Sequence, residues 1–109
     1  MYSVDLAAQR CLTTLAGRGL AVSATVRESQ TALDLALLDG CKGNTIIRCV
    51  AERSERDAQA LRAMLSEGDF DRAFLVHTGD EIDLTGEIQT WPLSRIDELA
   101  ALLAKESPP

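Results

Sequence analysis

The run Ala73-Phe74-Leu75-Val76 is the feature that most constrains what this chain can become. It is continuously apolar and too short for a stable helix, so it reads as a strand covered on both faces. Just before it, Ala58, Leu61, Met64 and Leu65 fall at helical spacing behind Ser54, with Asp57 at the capping-box position and Gly68 closing the segment. A helix that delivers the chain into a doubly covered strand predicts a parallel crossover. A sheet with Arg72–His77 near its centre and helices packed on it is therefore expected.

The rest of the chain fits around that centre. Val4, Ala8, Cys11, Leu12 and Leu15 mark an amphipathic helix with Ser3 as N-cap and Gly17 and Gly19 past its end. Leu20, Val22, Ala24 and Val26 alternate with Ala21, Ser23 and Thr25, which predicts a strand over 20–26, and the polar residues 27–31 predict a loop. Residues 32–38 and 45–51 read as a hairpin joined by the turn-rich segment 39–44. The acidic loop 79–87 leads to a short strand over 88–91. Pro92-Leu93-Ser94 then introduces a third helix with Ile96, Leu99, Leu102 and Leu103 inward, and the terminal Ser-Pro-Pro cannot continue it. The expected order is α-β-β-β-α-β-β-α, an α/β fold in which a mixed five-stranded sheet is flanked by helices, with 1–109 as a single domain.

Charge and cysteine usage narrow the function classes. Eleven Lys and Arg against 17 Asp and Glu give a net charge of −6, a sign that repels a phosphate backbone. Cys11, Cys41 and Cys49 are odd in number and lack Cys-x-x-Cys spacing, so reduced thiols are expected rather than a disulfide framework or a zinc site. No apolar run reaches the roughly 20 residues of a membrane helix, and Asp5 and Arg10 interrupt the first apolar pattern where a signal peptide would carry its core. A cytoplasmic protein without membrane contact is the expectation.

The element order, together with Leu33-Asp34-Leu35-Ala36-Leu37 and Thr45-Ile46-Ile47-Arg48-Cys49-Val50, resembles the Mrr-like branch of the PD-(D/E)xK nuclease superfamily. The helix from Ser54, the strand ending in Val76-His77-Thr78-Gly79 and the segment Ile88-Gln89-Thr90-Trp91 running into a Leu-rich helix extend the resemblance over nearly the whole chain. It implies a restriction-endonuclease-like three-layer fold. For an active member it also implies an Asp and a Glu holding a divalent metal, with a Lys two residues on that activates the attacking water.

The residues at those positions depart from that chemistry. Asp34 stands at the first acidic position, but Arg48 replaces the Glu and Val50 replaces the Lys. A guanidinium beside a lone carboxylate repels a cation, and an isopropyl group neither carries charge nor donates a hydrogen bond. Asp34 and Arg48 are expected to form an ion pair across the hairpin, in a vestigial site without catalytic, metal or cofactor-binding residues. A relocated site of Asp34 with Glu52 or Glu55 is the alternative, since alternation puts Arg48, Val50 and Glu52 on one strand face; only that alternative calls for Mg²⁺.

Other residues carry weaker signals. His77, the only histidine, reads as a hydrogen-bonded strand end. Asp69, Asp71, Asp80, Glu81, Asp83 and Glu87 lack calcium-loop spacing and read as solvated loop charges, with an acidic docking face as the sharper option. Gly40, Gly43 and Gly68 do not form a phosphate loop, and Trp91 reads as core or edge packing.

The expected function is that of a non-catalytic, nuclease-like protein acting by protein contact, as a homodimer, in a DNA-linked process. The residues lean against an enzyme without closing the question. Two alternatives remain open: a nuclease with relocated ligands, and a non-cleaving nucleic-acid binder using Arg10, Arg18, Arg27, Lys42, Arg48 and Arg53.

Overall fold

The structure is a computed structural model that describes residues 4–40, 43–52 and 54–105. Its elements are α1 (Val4–Gly17), β1 (Ala24–Ser29), β2 (Ala32–Gly40), β3 (Gly43–Val50), α2 (Glu55–Ser66), β4 (Arg72–His77), β5 (Ile88–Pro92), a 3-10 turn (Leu93–Arg95) and α3 (Ile96–Lys105). The expected N-cap Ser3, the turn residues Cys41 and Lys42, the cation Arg53 and the terminal Ser107-Pro108-Pro109 lie outside the described residues.

The five strands form one mixed sheet in the order β1-β2-β3-β4-β5. The first three are antiparallel neighbours, whereas β3, β4 and β5 run parallel, as the crossover through α2 requires. Strand β4 is buried from Ala73 to His77, which accounts for its unbroken apolar composition: both faces of the strand meet protein.

Cross-strand partners share a face, so the register sorts the side chains into two layers. Leu33, Leu35, Leu37, Ile47, Cys49, Phe74, Val76 and Trp91 join α1 and α3 in one apolar cluster. On the other side Ala32, Ile46, Val50, Ala73, Leu75 and Ile88 pack against Leu61 of α2, with Met64 and Leu65 at the edge. Each fully buried leucine or isoleucine, such as Leu15, Leu35, Ile47 or Leu75, is worth about 1.5–3 kcal/mol of transfer free energy.

Local chemistry sets the element ends. The Ser54 hydroxyl accepts from the Asp57 amide at 3.3 Å and caps α2. At the other end Gly68, with φ of 84°, turns the chain out of that helix. Gly43 has φ of 92°, and a Cβ there would collide with the Asp71 carboxylate. That carboxylate accepts from the Asn44 amide at 2.8 Å, so a side chain at position 43 would break the tie between the start of β3 and the loop before β4.

The first strand departs from expectation. It occupies Ala24–Ser29 instead of 20–26, and all six of its residues are exposed. Leu20 and Val22 do pack on the core, but from a non-strand segment in which the Leu20 amide turns back to the Leu15 carbonyl at 3.0 Å. The alternation therefore reflects partial burial at the end of a helix. Pairing with β2 begins only at Ala24, and residues 27–29, expected in a loop, belong to the strand.

Candidate functional site

Asp34 and Arg48 are direct partners on the antiparallel strands β2 and β3, which points both side chains toward α2. Arg48 donates from Nε to Asp34 Oδ1 at 2.7 Å and from Nη2 to Oδ2 at 2.9 Å, a two-point fork on the carboxylate. Both residues are only 4% exposed. The ion pair expected across the hairpin is thus present, and it is buried.

A third member comes from α2. Arg48 Nη1 donates to Asp57 Oδ1 at 3.3 Å, while the Ser54 hydroxyl donates to Asp57 Oδ2 at 2.7 Å. Asp57 was legible as a capping residue but not as an ion partner. The available signal was its position in the first turn of a helix whose N-terminus overlies β3. Its negative charge is also favourable there, near the positive end of the helix dipole.

The electrostatics follow from that enclosure. The hydrogen bonds that Arg48 donates to Asp34 raise its pKa above the ordinary guanidinium value, burial opposes this, and the charges of Asp34 and Asp57 reinforce it. Arg48 stays cationic at every physiological pH. Taking Asp34 and Arg48 out of water is costly, and their pairing offsets that cost only while both remain, whereas Asp57 keeps 18% of its side chain exposed.

Arg48 and Asp57 line a hollow of about 330 Å³ whose walls include Glu28, Thr31, Arg56 and Met64. As a metal site the donor set does not fit. Both oxygens of Asp34 are occupied by Arg48, and the neighbouring guanidinium repels a cation. Val50 is buried among the apolar residues beneath α2.

The relocated acids do not assemble with Asp34. Strand β3 ends at Val50, so the alternation that placed Glu52 beside Arg48 stops short of it. Glu52 instead lines a separate hollow with His77, Thr78 and Glu81. Glu55 is exposed and accepts from Arg62 Nη1 at 3.0 Å. Among the described residues no three His, Cys, Asp or Glu side chains come together as a metal-holding group.

The remaining candidates have structural partners. The Gly79 amide donates to His77 Nδ1 at 3.0 Å, which leaves Nε2 to carry the ring proton and donate to the Glu81 carbonyl at 2.7 Å. His77 thereby pins the loop after β4. Asp71 ties that loop's counterpart before β4, and Asp83 Oδ1 accepts from the Thr85 amide and hydroxyl at 3.0 and 2.8 Å. Trp91 is 5% exposed, in the core, with Nε1 donating to Gln89 Oε1 at 3.2 Å.

The cations weighed for nucleic-acid contact are split. Arg10 lies on α1 and Arg18 just beyond it, Arg27 is paired with Asp5 on that same side, and Arg48 is locked under α2 on the opposite side. Lys42 and Arg53 lie outside the described residues.

Compared with known protein families, curated proteins and solved structures, the chain matches none of them. Among the described residues no helix is long and apolar enough to cross a membrane.

Proposed function

We propose that this chain is a non-cleaving protein of restriction-endonuclease-like architecture that acts through protein contact, as a homodimer, in a DNA-linked process. The observation that carries the loss of catalysis is the buried Asp34–Arg48–Asp57 cluster, in which a guanidinium takes up the oxygens a divalent ion would need. The element order, with α2 leading into β4, supports the architecture that the resemblance implies. The link to DNA rests on that resemblance alone.

Self-association is supported by the bare edge of the sheet. Strand β1 leaves one row of backbone donors and acceptors without a strand neighbour among the described residues; its charged residues Arg27 and Glu28 and its register shift lie toward one end, which leaves Ala24–Val26 as the open part of the edge. On its α2-facing side Ala24 and Val26 continue an apolar strip with Ala36 and Leu38 of β2; Val26 and Leu38 are 51% and 45% exposed. Two copies paired antiparallel about Val26 would bring their Val26 side chains together and set Arg27 opposite Thr25, with no like charges facing. Cytoplasmic residence fits such a protein and belongs to the same proposal.

The experiment is light scattering after size exclusion, paired with supercoiled plasmid and Mg²⁺ or Mn²⁺. The expected result is a particle of twice the chain mass that leaves the plasmid intact, with Val26→Lys returning a folded monomer. A wild-type monomer at high concentration contradicts the homodimer. Metal-dependent nicking that disappears in Asp34→Ala contradicts the loss of catalysis.

A further inference from the structure

The apolar side of the sheet holds a chemical feature that the proposed function does not use. Cys11 of α1 and Cys49 of β3 are 38 positions apart, yet their sulfur atoms touch at 3.6 Å with both residues fully buried. We propose that Cys11 and Cys49 are a modification site: a thiol pair that an oxidant of the peroxide class converts to a reversible disulfide stapling α1 to the centre of the sheet.

Geometry favours closure. A disulfide holds its sulfurs about 2.05 Å apart, so the two atoms need to approach by roughly 1.5 Å. Cys49 cannot supply much of that movement, because its strand is paired on both sides, with Leu33 of β2 and Val76 of β4. The movement falls to α1, whose buried side carries the small residues Ala7 and Ala8 next to Cys11, with Val4 and Leu15 packed further along the helix. Small side chains around Cys11 leave the helix room to shift locally toward the sheet without crossing backbone hydrogen bonds.

The same burial sets the kinetics. The contact with Cys11 and removal from water hold the Cys49 thiol well above the ordinary thiol range, so in the docked state Cys49 is protonated and slow to react. Oxidation therefore requires α1 to lift far enough to admit peroxide. The first thiolate then attacks a peroxide oxygen, the O–O bond breaks, and a sulfenic acid and one water result. The second sulfur attacks the sulfenic sulfur, forming the S–S bond and releasing a second water. Two thiols lose two electrons and two protons, and the peroxide takes up both.

The test uses the full chain and its Cys41→Ser variant, which removes the third thiol. Each is reduced, freed of reductant, exposed to hydrogen peroxide in the folded state, alkylated on unfolding and digested with trypsin without reduction. The expected product has lost two hydrogen atoms in mass, joins the peptides 11–18 and 49–53, and is reversed by dithiothreitol. Recovery of both peptides alkylated in full from folded, peroxide-treated protein would overturn the proposal. So would a cross-link that forms only after the chain has been unfolded in urea.

Discussion

The two faces of the sheet solve different problems. On the α1 and α3 side an apolar layer runs from Leu33 and Leu35 through Ile47 and Phe74 to Trp91, and two helices cover it. On the α2 side one helix covers only part of the sheet: the apolar cluster there draws its strand residues from β2 to β5, a charged cluster occupies the β2–β3 boundary, and β1 is bare. The face covered from β2 to β5 by two helices, with the larger cluster of buried residues, supplies most of the hydrophobic stabilisation. The other can then carry costly or exposed features, which is where a functional surface is expected.

The largest effect should come from breaking the charged cluster. Arg48→Met leaves Asp34 buried without its partner and is expected to cost about 3–5 kcal/mol in urea unfolding. Adding Asp34→Leu to that variant should restore most of the loss, because no buried charge is then left alone on β2. A double variant as unstable as the single one would mean that the cluster is needed for more than mutual neutralisation.

Truncation compares covered with uncovered surface. Leu35→Ala, in the covered layer, is expected to cost about 2–5 kcal/mol, whereas Leu38→Ala on the bare half should stay within about 0.5 kcal/mol in the isolated chain. Similar losses at both positions would show that something covers Leu38 in solution.

Alkaline pH probes the covered face. In the folded chain Cys49 holds its proton well above the ordinary thiol range, whereas the unfolded chain releases it near pH 9. The unfolded state then binds fewer protons, so stability is complete below about pH 9 and falls by about 1.4 kcal/mol per pH unit above it. Cys49→Ala should remove this contribution from the slope of stability against pH. The smallest change is expected at the exposed Arg62–Glu55 pair, where Arg62→Ala should alter stability by about 0–1 kcal/mol.

How much of this was legible depended on whether the signal was local. Strand β4 and its crossover could be read because burial on both faces leaves an apolar run with no periodicity. The hairpin could be read from its alternation and turn residues, and the Asp34–Arg48 pair from the two motif positions that the resemblance sets opposite each other; the register shift between Leu37 and Gly40 could not be read. The edges of β1 could not, because Leu20 and Val22 pack on the core from outside the strand and imitate its period. The contacts made by Asp57 and Cys11 were hidden for a different reason. Each depends on where a helix lands on the sheet, and spacing along the helix does not specify that.

The central claim is that a guanidinium, not a metal, occupies the space between Asp34 and Asp57, and the side-chain resonance of Arg48 reports on it directly. Following the Arg48 Nε–H signal by ¹H–¹⁵N spectroscopy during a Mn²⁺ titration should show a slowly exchanging resonance that stays sharp, and that is lost when Asp34→Asn removes the fork. Selective broadening of that signal and of the Asp34 amide at low Mn²⁺ would place a metal in the cluster and contradict the account.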